Sequence, residues 1–268
     1  MSPSLLQTIV AATRRAVFER EARVPLAALR LDQAPKRPPH AFRAALAADG
    51  DTPRVIAECK RRSPSKGVLR EKYDPAAIAR AYETAGAAAI SVLTEPSFFD
   101  GSLDHLAAAR AAVQVPLLRK DFVVSRYQIA EARAAGADAI LLIVAALEQP
   151  DLRRLLEAAG EHDLDVLVEA HDAGEIDRAV EAGADIVGVN SRNLHTLQVD
   201  PDLLHGLAAR IPSNVIAVAE SGIRDGAQVA SLRRSGYRGF LVGERFMASA
   251  DPGEALRLML SGAGGAAA

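Results

Sequence analysis

Glu58 and Lys60 are an acid and a base two positions apart, at the end of the apolar run Val55-Ile56-Ala57. Alternate side chains of an extended strand share a face, so this spacing aims both groups the same way and sends Cys59 the other. Lys120, Glu169, Asn190 and Glu220 stand in the same situation, each closing an apolar run of its own. A lone charged residue at a strand end is as readily a solvated one. Two lysines and three glutamates converging on one narrow space must pair, and groups paired away from water have displaced proton affinities. That is the composition of a general acid–base site.

A second set of residues suits an anion. Ser221-Gly222-Ile223 follows one such run, and Gly243-Glu244 follows the next, Leu241-Val242, opening a short helix. Glycine permits close approach to the backbone, and N–H groups of a helix's first turn lack partners within the helix. Taken alone, either glycine is more often a turn residue than a ligand; their position after two consecutive strands favours phosphate. Ser63 and Arg62, after the first run, would close the other side. Phe98-Phe99 and Phe122 follow two more runs, where they would cap the site or cover an aromatic substrate. The six histidines show no metal-ligand spacing, so no metal is implied. His171, two positions beyond Glu169 where the strand is already turning, reads as structural. Cys59 reads as a core thiol, not a nucleophile.

The elements that position these groups repeat. Ala85-Gly86-Ala87, Ala135-Gly136-Ala137, Ala182-Gly183-Ala184 and Ser235-Gly236-Tyr237 each end a helix at a glycine and turn into a buried strand. They recur at roughly 50-residue intervals, about twice one βα unit. With the runs between them, eight strands are expected near 54–59, 88–93, 115–120, 138–143, 164–169, 185–190, 215–220 and 238–242. The fold class is α/β, a (β/α)8 barrel with its site at the C-terminal strand ends. A doubly wound open sheet is the alternative; even spacing and the lack of a dinucleotide glycine fingerprint count against it. Apolar spacing from Leu5 to about Glu21 predicts an amphipathic helix, a proline-rich loop spans about 31–39, and 41–48 predicts a short helix. The expected division is a helical extension over 1–50 packed on the barrel, the barrel over 51–262, and a disordered tail over 263–268.

The 268 residues carry a net charge of −2, which gives no reason to expect nucleic acid or an anionic membrane as partner. With one cysteine there is no internal disulfide, which fits a reducing cytoplasm. The start of the chain lacks the pattern of a secretory signal, and no apolar run is long enough to span a bilayer. The expectation is a soluble cytoplasmic protein.

At these residues the sequence resembles the indole-3-glycerol-phosphate synthase family of tryptophan biosynthesis. The matching stretches are Ala57-Glu58-Cys59-Lys60-Arg61-Arg62-Ser63-Pro64-Ser65, Leu93-Thr94-Glu95 with Phe98-Phe99-Asp100-Gly101, and Leu118-Arg119-Lys120-Asp121-Phe122. They continue through Leu141-Leu142-Ile143, Val168-Glu169-Ala170-His171, Gly188-Val189-Asn190-Ser191-Arg192-Asn193-Leu194, Ala219-Glu220-Ser221-Gly222-Ile223 and Val242-Gly243-Glu244. They run in order over nearly the whole chain. Departures are Cys59 for a larger apolar residue, Ala170 for valine, and Arg245-Phe246 for a smaller pair. None falls on a group the resemblance makes catalytic, though Arg245 stands at the phosphate end.

The resemblance implies closure of a pyrrole ring on 1-(2-carboxyphenylamino)-1-deoxyribulose 5-phosphate, with loss of carbon dioxide and water and with no cofactor. It assigns the acid for ring closure to Lys120. Lys60 would hold the anthranilate carboxylate and protonate the departing hydroxyl, Glu169 would be the base, and Glu58 would orient the lysines or share that role. Asn190, Glu220 and Ser221 would bind sugar hydroxyls and maintain the charge network. Ser63, Phe99, Phe122, Leu141, Arg192, Leu194, Gly222, Gly243 and Glu244 complete the implied substrate contacts. Neighbouring cations and desolvation are expected to lower the proton affinity of Lys120. The implied protein is a monomer acting on a small phosphosugar, without nucleic acid or membrane. Rival readings are a Schiff-base aldolase, a phosphoribosylanthranilate isomerase, which would want an inward cysteine, and a non-catalytic phosphosugar-binding barrel.

Overall fold

In the computed structural model, which describes residues 4–194 and 196–264, eight parallel strands close into a barrel. They are β1 (Arg54–Cys59), β2 (Ala89–Leu93), β3 (Leu117–Lys120), β4 (Ala139–Ile143), β5 (Asp165–Ala170), β6 (Ile186–Asn190), β7 (Ile216–Glu220) and β8 (Gly239–Val242). Each pairs with the next in sequence, and β8 closes on β1 with Arg54 opposite Gly239. The largest boundary difference from expectation is at β3, which starts after Pro116. Proline has no N–H to give a ladder, and Pro116 contributes only its carbonyl, to Ile90 N at 2.9 Å.

Strand alternation divides the apolar residues into two layers. Ile56, Leu118, Leu141, Leu167, Val218 and Leu241 fill the barrel. Val55, Cys59, Val92, Val168, Val187 and Phe240 pack outward against the helices, which puts Cys59 in the outer core as expected. The repeated glycines Gly86, Gly136, Gly183 and Gly236 have φ of 87° to 111°, a left-handed backbone that favours glycine at each helix end.

The leading segment both plugs and straps the barrel. Helix α1 (Leu5–Arg23) begins with a capping box between Ser4 and Gln7 and buries Leu6, Ile9 and Val17. Short 3-10 turns at Leu26–Ala28 and Leu31–Gln33 follow, the second inside the stretch expected to be plain loop. Helix α2 (Ala41–Ala47) puts Phe42 and Leu46 into the barrel's interior layer, while Asp165 accepts from Arg43 N at 2.9 Å. A buried ionic chain anchors α1: Arg20 forms two hydrogen bonds to Glu131, Glu131 meets Arg119, and Arg119 bonds Asp121 and Thr94. Arg119 is 1% exposed and points outward from β3, beside the inward-pointing Lys120. The last helix continues to Gly264, beyond the expected barrel limit; of the expected tail, residues 265–268 lie outside the described residues.

Candidate active site

The strand ends and their loops bring the expected site residues to one cavity of about 600 Å³ at the C-terminal mouth, except Arg62, which faces Asp100 instead, and Phe98. Its floor is charged. Lys60 Nζ lies 2.5 Å from Glu58 Oε1; Lys120 Nζ lies 3.1 Å from Glu169 Oε2 and 3.7 Å from Glu220 Oε2. Glu58, Glu169 and Glu220 are buried, and each lysine keeps a small exposed tip.

Burial and charge pull the carboxyls apart in proton affinity. Burial opposes ionisation of Glu169, yet Lys120, with help from His171, holds it well below the usual carboxylate range. Glu220 is the opposite case. Burial and the charge of Glu169 push it up to about 8, and neither oxygen has a hydrogen-bond donor among the described residues. Burial opposes the charge of Lys120 as well, but Glu169, Glu220 and Glu58 together hold its ammonium above the ordinary lysine value. This corrects the expected lowering. The neighbours that count are the carboxyl groups of Glu169, Glu220 and Glu58.

The raised Glu220 has a consequence for stability. A group that binds its proton more tightly folded than unfolded contributes stability fully present below the unfolded value and lost as pH rises through the folded one. Between about 4.5 and about 8, Glu220 stays protonated in the folded state while it ionises in the unfolded chain, so rising pH costs wild-type stability that a neutral amide does not lose. Glu220→Gln is expected to gain stability over wild type as pH rises through this window, at up to about 1.4 kcal/mol per pH unit. Thermal unfolding midpoints from pH 5 to pH 8 check this; a constant difference would contradict it.

Two glycines make room for these carboxyls. A Cβ at Gly188 on β6 would overlap Glu220 Oε1, and one at Gly243 would overlap Glu58 Oε1. Gly243 therefore serves the acid–base floor as directly as it serves the open first turn of α11 (Glu244–Met247), which it caps without a side-chain hydrogen bond. Ser221 and Gly222, both at positive φ, turn the chain after β7 beside that helix end. Arg192 bonds Leu197 O at 2.9 Å and Glu244 at 3.2 Å, so two residues expected on substrate are paired with each other. Asn190 Oδ1 accepts from Arg192 N at 3.0 Å. Arg245 lines the cavity, while Phe246 is buried against Tyr82.

The upper walls are apolar. Phe99 and Phe122 are 6.2 Å apart between ring centroids, with Leu141 and Leu194 also lining the cavity. Phe99 is held in place by Glu95, whose carboxylate accepts from the N–H groups of Ser97, Phe98 and Phe99. Sequence reasoning missed Leu5, Leu6 and Ile9 of α1, which form part of the cavity wall, and Ser65 and Leu93. The sign for α1 was an apolar stripe expected to pack on the barrel, without a place in the site. Sequence reasoning also missed the contact of His171 with Glu169. The His171 ring lies between Glu169 and Glu175, and the Glu-x-His spacing that puts it on the face of Glu169 was visible.

Charged groups at the carboxyl ends of a closed parallel sheet, under an apolar wall, are how barrels perform proton chemistry. The protein is an acid–base enzyme of the (β/α)8 class. Comparison with known proteins narrows this: residues 6–259 match the family model described as indole-3-glycerol phosphate synthase. The chain is 52% identical over 256 residues to an indole-3-glycerol phosphate synthase from Nocardioides sp., covering 96% of this chain and 98% of that one. To the enzyme from Sulfurimonas denitrificans it is 45% identical, covering 96% and 99%. The chain belongs to the indole-3-glycerol phosphate synthase family, and its activity is that family's carboxy-lyase step in tryptophan biosynthesis. The fold is also similar to that of a thiamine phosphate pyrophosphorylase from Pyrococcus furiosus, with a TM-score of 0.60 at 18% identity over 78% of this chain and 95% of that one.

Proposed function

We propose that the enzyme closes the pyrrole ring of 1-(2-carboxyphenylamino)-1-deoxyribulose 5-phosphate with the residue roles that follow. The observation that carries this assignment is the ammonium of Lys120 held between Glu169 and Glu220 on the cavity floor. As the ring carbon attacks the ketone, Lys120 protonates the developing alkoxide. Departure of carbon dioxide restores the aromatic ring. Lys60, fixed by Glu58 and facing the anthranilate carboxylate, protonates the hydroxyl that leaves as water. Glu169 takes the proton from the sugar-chain carbon that completes the pyrrole. Each transfer contributes about 10²–10⁴-fold, and alignment of the reacting carbons supplies much of the rest.

Two protons are delivered and one is recovered, so each turnover takes up one proton. Contact between Glu169 and Lys120 suits direct return of the recovered proton, leaving Lys60 to be recharged from solvent. In this reading the anthranilate ring lies against Phe99, Phe122, Leu141 and Leu194. The phosphate meets Ser221, Gly222, Gly243 and the first turn of α11, with Ser63, Arg192 and Glu244 closing the rim. Asn190 and Glu220 hold the sugar hydroxyls. A lysine held charged is a poor amine nucleophile, which weighs against Schiff-base chemistry.

The reading uses no cofactor and has the chain acting as a cytoplasmic monomer on a small phosphosugar. Among the described residues, no helix is long and apolar enough to cross a membrane. The test is indole fluorescence on adding the carboxyphenylamino-deoxyribulose phosphate. A rising signal is expected; a flat trace from folded protein would overturn the assignment, and gel filtration would report the monomer.

A further inference from the structure

His171, with its side chain 13% exposed, is a titratable group that the proposed chemistry does not use. It follows β5 at two residues from Glu169, and its Nε2 lies at ion-pair distance, 3.4 Å, from Glu169 Oε1 while making no hydrogen bond among the described residues. Its other ring nitrogen, Nδ1, lies 3.0 Å from Glu175 Oε2, the same oxygen that accepts from His171 N at 2.8 Å. Glu175 sits in the first turn of α8 (Ala173–Glu181), where its own N–H donates to the capping residue Asp172. Glu175 thus holds the residue from behind at both its ring and its backbone, with the free ring nitrogen beside one oxygen of the base. The other oxygen of that base faces Lys120.

We propose that His171, clamped by Glu175, is a positioning residue that pins Glu169 Oε1 and so keeps Oε2 turned toward Lys120 and the substrate. The proposal rests on the reading of Glu169 as the base. The charged groups facing Glu169 are Lys120 from β3, Glu220 from β7 and His171 itself; those facing His171 are Glu169 and Glu175. Both carboxylates outweigh the burial of the imidazole and hold it protonated, with its pKa raised to about 10. A charged ring opposite Oε1 favours the ionised form of Glu169, and a neutral side chain there would not.

Three variants and two measurements test this. NMR titration of the ligand-free protein reads His171 directly. Its pKa is expected well above the ordinary histidine value, and to fall in both Glu169→Gln and Glu175→Gln. In the pH profile of kcat, His171→Asn is expected to raise the acid limb by about one pH unit, a tenfold loss of rate below it, with KM little changed. Glu175→Gln, on the first turn of α8, is expected to move the same limb less, and serves if His171→Asn fails to fold. A merely structural role would lower the unfolding temperature and leave the limb in place. An ordinary His171 pKa in wild type overturns the proposal whatever the kinetics. So does an unmoved acid limb in both variants. Full turnover by Glu169→Gln would overturn the base assignment instead, and would be recognised by an intact NMR coupling between His171 and Glu175.

Discussion

Lys120→Met is expected to lower kcat by about 10²–10⁴-fold, the range of a lost general acid. It also makes the fold sensitive to alkali. Methionine fills much of the same volume but leaves Glu169 and Glu220 buried side by side, 2% and 1% exposed, without the ammonium that lies 3.1 and 3.7 Å from them. Removing one partner of a buried ionic group costs about 3–5 kcal/mol, because the survivors stay charged and out of water. Here the survivors can escape by protonation. Glu169, no longer held low by Lys120, then binds a proton more readily than in wild type, and Glu220 already does so near neutrality. Both gains of affinity favour the folded variant at low pH and are lost as pH rises. Thermal unfolding should therefore show a small deficit against wild type at pH 5 and a large one at pH 8, with turnover low at both. An unchanged kcat with a raised KM would mean that Lys120 only binds substrate, and the assigned acid would be wrong.

Gly188→Ala is expected to lower kcat by about 10²-fold with little change in KM. Its backbone is ordinary strand, so the effect is one of space. The added Cβ overlaps Glu220 Oε1 and comes within 3.2 Å of Leu167 Cδ1, so the Glu220 carboxyl must leave its seat next to Lys120. A displaced carboxyl loosens the ammonium that it helps to hold, and an error of about 1 Å at reacting groups is enough for the stated loss. Gly183→Ala is the control. Its φ of 93° makes the substitution strained, but an added Cβ meets nothing within 4 Å and lies far from the cavity. It is expected to cost about 1–2 kcal/mol of stability and leave kcat alone. If both variants lose the same activity, the space argument fails.

The barrel was legible because each strand is buried on both faces and ends where the inward face meets water, so Val-Ile-Ala-Glu and Ala-Val-Ala-Glu announce both a strand and its mouth. The glycine repeats were legible for a local reason, the left-handed helix end. What depends on two distant segments was not. That Gly188 leaves room for Glu220 and Gly243 for Glu58 cannot be read from either segment alone. Nor can the buried Arg119, whose partners come from the loop after β2, from the loop after β3 and from α6 (Arg126–Ala134). The sign of the Lys120 displacement went wrong for the same reason. It depends on how many carboxylates face one ammonium, and three do.

The seam between β1 and β8 sets a schedule for the enzyme's birth. The strand carrying Glu58, with Lys60 just beyond it, leaves the ribosome early, whereas the glycine that Glu58 Oε1 rests against arrives with residue 243. Helix α1 waits in the same way, since Arg20 and its partner Glu131 are 111 residues apart. Until then the nascent chain presents an unpaired strand edge and an uncovered apolar helix face, the features that invite wrong partners. Contacts of such long range make folding slow, and they make it final. A chain stopped anywhere short of β8 leaves β1, and with it Glu58, paired on one side only.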